Sequence, residues 1–227
     1  MSNLIQDIIQ IVREKHMTDC SAHDFDHVMR VFNLAKTIAK TESGVDPEVL
    51  QLSALLHDIG GAKESNDPTG RTDHAVVGSE MAEEILGGLG YDPARIRHVK
   101  DCILTHRYRT DKKPESIEAK ILFDADKLET VGAIGVARAF AWVGRHGAKI
   151  YKKPESLEDY IRENLGGKIN GRIREKSKHS VHINYETKDK YLLEKLYTES
   201  ARKIGRERLE YYKNFLDRLE REVNGKQ

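Results

Sequence analysis

Apolar residues recur along this chain at intervals of three and four, and the strict alternation expected of strands is almost absent. Leu4, Ile5, Ile8, Ile9 and Val12 fall on one face of a first helix. His27, Val31, Leu34, Ala35 and Ile38 follow at i, i+4, i+7, i+8 and i+11, which predicts a second helix with a histidine on its apolar face. Asp46 before Pro47 reads as a cap and first helical residue. It opens a third helix through Val49, Leu52, Leu55 and Leu56 to Gly60. Residues 61–72, polar and containing Gly and Pro, read as a loop.

Asp73 or Thr72 can cap a further helix carrying Val76, Met81, Ala82, Ile85 and Leu86, which stops at Gly87-Gly88. Asp92-Pro93 starts another, with Ile96, Val99 and Ile103 on its buried stripe. Residues 117–140 form an apolar helical region, and 151–189 are the least regular, with turn-prone Gly166-Gly167 and Asn170-Gly171. A long amphipathic helix is predicted over 190–222, through Leu192, Leu193, Leu196, Ala201, Ile204, Leu209, Phe215 and Leu219. The pattern predicts an all-α chain, 1–227, folded as a single helical domain without internal repeats. The last helix offers a surface on which a homo-oligomer could form.

Composition narrows the function. The 38 basic and 37 acidic residues leave a formal charge of +1, so no long nucleic acid is expected as a partner. A local basic patch around a small anion stays open. No apolar run approaches the ~20 residues that span a bilayer. The first residues, MSNLIQDIIQIVREKH, lack the basic start and small-residue cleavage site of a secretory signal. A cytoplasmic protein outside the membrane is expected, with Cys20 and Cys102 as reduced thiols.

Six histidines lie between positions 23 and 106. A lone helical histidine has an ordinary role as a hydrogen-bonded packing residue, and an Asp before Ile-Gly can simply end a helix. The adjacent pair His57-Asp58 is different, because it closes the apolar segment LSALLHDIG. Two ionisable groups buried together are costly unless something compensates them. A divalent cation compensates both, since imidazole nitrogen and carboxylate oxygen are good ligands for Zn, Mn, Fe and similar ions.

Three segments, in order, resemble the HD-domain superfamily of metal phosphohydrolases: HDFDHVMRV (23–31), ALLHDIG (54–60) and FDADKLE (123–129). The resemblance implies a helical bundle with an HD-type core at about 20–135 and additional C-terminal helices over 136–227. It carries the metal ligands onto His27, His57, Asp58 and Asp126. Periodicity alone leaves Asp124 and Asp126 open, because both flank the stripe of Ile121, Ala125 and Leu128. The family's Ala-Asp-x-Leu pattern favours Asp126, with Asp124 orienting a ligand.

His23 stands one helical turn before His27. Resemblance to the cyclic-nucleotide phosphodiesterases of the superfamily makes it a candidate proton donor; otherwise it caps the helix or meets substrate. His74 and His106 occupy the places of a second-metal pair in two-metal relatives, with His98 as the weaker choice for the second place. They are candidates for a second metal or for phosphate contact. Lys63, Arg107, Arg109 and Lys127 are candidates for substrate phosphate, Arg for its two parallel bonds.

The run DADKLETVGAIGVARAF (124–140) and the tail EKLYTESARKIGRERLEYYKNFLDRLEREV (194–223) are similar to a bacterial and archaeal subgroup resembling nucleoside triphosphate pyrophosphohydrolases. The resemblance implies metal-dependent hydrolysis of a phosphorylated small molecule, a nucleotide first of all, with Mn, Mg, Co, Ni, Zn or Fe as cofactor. Asp58 would combine its ligand role with proton acceptance from water. HDIGGAKE departs from the Glu-Asp pair of the alarmone hydrolases and argues against that substrate. Two other classes remain: a di-iron oxygenase using His74 and His106, and a nucleotide-sensing module without turnover.

Overall fold

A computed structural model describes residues 3–15, 24–107 and 112–226. Among them the chain is helical and carries no strand, with one isolated bridge between Lys149 and Ser180. No helix is long and apolar enough to cross a membrane. The chain divides into two compact units, Met1–Asp126 with Leu196–Ala201, and Lys127–Lys195 with Arg202–Gln227.

The first unit is built around one helix. α1 (Asn3–Lys15), α2 (Phe25–Ala39), α3 (Pro47–Leu56), α4 (Gly61–Ser65), α5 (His74–Gly88), α6 (Pro93–Thr105) and most of α7 (Ile117–Leu128) belong to it. α3 packs against α1, α2, α5 and α6. Its residues Val49, Leu50, Leu52, Ser53, Ala54, Leu55 and Leu56 are all buried, as expected of a helix whose apolar side chains cover more than one face. Ser53 is tolerated there because its hydroxyl donates to Val49 O at 2.8 Å. Each buried Leu contributes roughly 1.5–3 kcal/mol, so α3 is a fixed post from which His57 and Asp58 emerge.

Aspartates set where the helices begin. Asp46 accepts from Glu48 N and Val49 N at 3.0 and 3.1 Å, with Pro47 in the first turn of α3. Asp73 accepts from Ala75 N and Asp92 from Arg95 N, each at 2.9 Å. Asp24 accepts from His27 N at 2.9 Å, which places His27 in the first turn of α2.

Several predicted boundaries are corrected. α3 ends at Leu56 rather than Gly60, and 57–60 form a turn closed by Ile59 N to Leu56 O and Gly61 N to Asp58 O. The expected loop 61–72 contains the short helix α4. Beyond it Asp67 accepts from Thr69 N, Arg71 N and Thr72 N, so one carboxylate organises the rest. The apolar helical region 117–140 holds two helices: α7 ends at Leu128 and α8 runs over Gly132–His146. The break needs Gly132, whose φ of +77° only glycine adopts easily, and a Cβ there would lie 2.9 Å from Arg208 Cγ.

The second unit contains α8, α9 (Leu157–Asn164), α10 (Val181–Thr187) and most of α11 (Glu199–Val223). The region 151–189, read as least regular, thus holds two short helices. The predicted helix 190–222 is interrupted. A 3-10 segment, Asp189–Lys195, precedes α11, and Thr198 turns the chain by accepting from Ala201 N.

Asp189 is the buried charge problem of the second unit. It is 2% exposed, its Oδ2 accepts from Asn184 Nδ2 at 2.6 Å, and its Oδ1 has no partner. Burial pushes its carboxyl up to about 6. A carboxyl held neutral by folding lowers stability as pH rises from its ordinary value, 3.8, through about 6. Asp189→Asn keeps the shape and removes that titration. In urea melts the variant should exceed the parent by about 3 kcal/mol at pH 8, with the difference vanishing below pH 4.

Candidate metal centre

Five helix ends of the first unit carry the candidate residues. His27 lies in the first turn of α2, and His57-Asp58 follow the last residue of α3. His74 is the first residue of α5, His106 caps the C-terminus of α6, and Asp126 is in the last turn of α7. Asp58 joins them. Its Oδ2 lies 3.6 Å from His27 Nε2 and 3.5 Å from His57 Nε2. Its Oδ1 lies 3.3 Å from His74 Nε2 and 3.6 Å from His106 Nε2. Asp126 Oδ1 stands 3.5 Å from His27 Nε2.

These separations, 3.3–3.6 Å, are close to those of donors that share a cation. Two donors each about 2.1 Å from one ion stand about 3.0–3.4 Å apart at octahedral or tetrahedral angles. Among the described residues two donor sets each hold their ligand atoms within 4.8 Å of one another: His27, His57 and Asp58, and Asp58, His74 and His106. His57 Nε2 is buried and has no hydrogen-bond partner, a deficit that a metal bond would remove.

Protonation favours the same use. Burial holds His57 down to about 4, against the opposing pull of Asp58 and Asp126. Burial lowers His74 as well, despite Asp58 and Glu64. Both are therefore neutral near pH 7, the form that ligates metal. The outer nitrogens are committed: His57 Nδ1 bonds to Ala54 O at 2.9 Å, and His106 Nδ1 to Ile103 O at 2.6 Å. Carbonyls accept only, so each Nδ1 carries a proton, and in the neutral tautomer the Nε2 lone pair faces inward.

The backbone at the motif leaves no room for a side chain on Gly60. A Cβ there would lie 2.4 Å from His74 O and 2.7 Å from Gly78 N. Close approach of the turn after Asp58 to the start of α5 is what brings His74 to the carboxylate.

Other candidates are placed elsewhere. Asp124 is fully buried and accepts from Tyr197 N at 2.9 Å, Thr198 N at 2.7 Å and Thr198 Oγ1 at 2.8 Å. It holds the entry to α11. Two helical steps turn a side chain by about 200°, so adjacent-but-one aspartates cannot serve one face. His98 meets Glu118 at 3.1 Å. Arg107 pairs with Asp73 at 2.8 Å and Glu64 at 3.2 Å. Lys63 is exposed on α4, and Lys127 is half-buried in α7. His23, Arg109 and Cys20 lie outside the described residues; Cys102 is a free, buried thiol whose pKa burial pushes up to about 12. Sequence reasoning missed Glu64, whose carboxylate meets His74 Nδ1. Its short helix has no periodicity to reveal it.

Helix ends converging on one carboxylate and four imidazoles define a metal-centre protein of all-α class. An HD domain model matches residues 24–131, the stretch that contains every donor above. The uncharacterized protein YpgQ of Bacillus subtilis is 29% identical over 91% of this chain and 87% of its own length. The crystal structure of YpgQ in complex with ADP superposes over 97% of this chain and 98% of that one, with a TM-score of 0.65 at 24% identity. A predicted HD superfamily hydrolase from an uncultured Thermotogales bacterium is 28% identical, covering 96% of this chain and 92% of its own, with a TM-score of 0.65. Ribonuclease Y of Clostridium novyi is 30% identical over 69% of this chain, which spans 33% of that protein. The chain belongs to the HD-domain superfamily of metal-dependent phosphohydrolases.

Asp124 and Asp126 should separate in experiment. Asp126→Ala is expected to weaken metal binding while leaving the melting temperature of chelator-treated protein nearly unchanged. Asp124→Ala should cost about 2–4 kcal/mol of that metal-free stability by stripping acceptors from buried donors. Calorimetric metal titration beside thermal melting in a chelator reads both.

Proposed function

We propose that the protein hydrolyses a phosphate ester or anhydride of a nucleotide, with nucleoside triphosphate to monophosphate plus pyrophosphate as the leading reaction. The observation that carries this reading is Asp58, whose two oxygens face His27 and His57 on one side and His74 and His106 on the other. The residues that would hold a divalent cation are His27, His57, Asp58 and Asp126. Such a cation supplies an acidified water and polarises a phosphoryl oxygen. The ADP in the YpgQ structure belongs to that protein, and it supports a nucleotide as the substrate class here.

The chain's own groups then divide the work. Asp58 accepts a proton from the attacking water as its oxygen bonds to phosphorus. The bond to the leaving oxygen breaks, and His23 returns a proton to that oxygen. Lys63, Arg109 and Lys127 neutralise phosphate oxygens. Arg107 is already engaged by Glu64 and Asp73, which assigns it to the support of the site.

The test is metal analysis of the purified protein, then a screen for phosphate and pyrophosphate release from nucleotides with Mn, Mg, Co or Ni. RNA and a polyol or phosphonate under oxygen serve as competing substrates. Release of pyrophosphate from a nucleoside triphosphate is the expected result. A metal-loaded sample that releases nothing from any nucleotide overturns the reading. Asp58→Ala should lose its metal and at least about a hundredfold in kcat, while retaining the helical circular dichroism of the parent.

A further inference from the structure

His74 is held differently from the other histidines whose outer nitrogen is seen to be engaged. His57 and His106 give their Nδ1 protons to the neutral carbonyls of Ala54 and Ile103. His74 instead turns Nδ1 to the carboxylate of Glu64, the side chain that α4 brings alongside. Glu64 is itself held: its other oxygen meets Arg107 Nη1 at 3.2 Å. The same Nη1 reaches Asp73 Oδ1 at 2.8 Å, and Asp73 caps α5 through Ala75 N. Arg107 directly follows His106, and His74 directly follows Asp73. One ionic strap therefore ties the residues beside both histidines without passing through Asp58.

The strap determines what the inner nitrogens can do. A carboxylate facing Nδ1 requires the proton there, so His74 Nε2 presents a lone pair. In the neutral tautomer His106 Nε2 does the same, because Ile103 O takes the proton on its other side. These two nitrogens lie 3.1 Å apart, with Asp58 Oδ1 at 3.3 and 3.6 Å. Three acceptors this close repel unless positive charge lies among them. An anionic partner on Nδ1 also strengthens a histidine as a metal donor and fixes its ring, where a carbonyl does so less.

We propose that Glu64, braced by Arg107, is a positioning residue that sets the cation affinity of the Asp58–His74–His106 side of the centre, separately from the side that contains His27 and His57. The proposal rests on the metal-centre reading above. It reassigns Arg107 from substrate phosphate to the strap.

The test is titration of metal-stripped, full-length protein with manganese(II), followed by calorimetry and by electron paramagnetic resonance of the bound ion. The parent should show two classes of site. Glu64→Gln should weaken one class by about 10- to 100-fold and leave the other within about twofold. Arg107→Gln should weaken the same class, and Arg107→Lys should restore part of it. The melting temperature in a chelator should be unchanged in Glu64→Gln. Two unaltered classes in Glu64→Gln overturn the proposal, as does equal weakening of both with a lowered metal-free melting temperature, which marks a merely structural role. A parent with a single class also overturns it while leaving the proposed function standing. A parent that binds no manganese, zinc or iron fails at the metal-centre reading itself, a result read before any variant is made.

Discussion

A carboxylate nearly sealed from water and faced by four imidazoles has to be balanced by positive charge, and the first unit is organised around that requirement. Asp58 is 7% exposed. It emerges beyond the C-terminus of α3, where free carbonyls concentrate partial negative charge and make a carboxylate less welcome. His106 also caps a helix C-terminus. The nearby backbone thus adds to the demand for a cation, and burial of His57 and His74 disfavours meeting it by protonating those two imidazoles.

That requirement explains why α3 is so thoroughly apolar. The pair at its end is costly to bury, so the post holding it must resist rearrangement. A helix in which Leu50, Leu52, Leu55 and Leu56 are each at most 1% exposed cannot rotate without exposing them. The N-caps perform the complementary task at the other ends. Asp24 and Asp73 fix where α2 and α5 begin, and hence the positions of His27 and His74. Gly60 lets the turn after Asp58 touch the backbone of α5.

The helical class, the caps at Asp46, Asp73 and Asp92, and the adjacent His57-Asp58 pair were legible in the sequence, because each has a local signature of period, cap chemistry or adjacency; the other candidates of the centre came from the family resemblance. The boundaries were less legible where a tertiary contact decides them. The break after Leu128 depends on Gly132 lying against Arg208, and the break before α11 on Thr198 bonding to Asp124. Periodicity is blind to both, since the flanking residues continue an amphipathic pattern. Asp124 and Asp126 could not be told apart from the apolar stripe, because both border it. In space one closes a helix entry and the other stands beside His27. Glu64 and the pairing of Arg107 escaped for the same reason: they arise from approach across three helices.

The same geometry argues that Asp58 and Asp126 are not equivalent donors. Asp126 stands 3.5 Å from His27 and acts on His57 electrostatically, whereas Asp58 divides its two oxygens between two histidine pairs. Loss of a peripheral donor leaves a cation its remaining ligands. Loss of the shared one leaves four imidazoles with no anion between them, and the charge that attracted the cation disappears with it. The adjacency of His57 and Asp58 then has a physical reason. At the end of one rigid helix, consecutive residues deliver a buried neutral ligand and the bridging anion together, at separations that no flexible loop would hold.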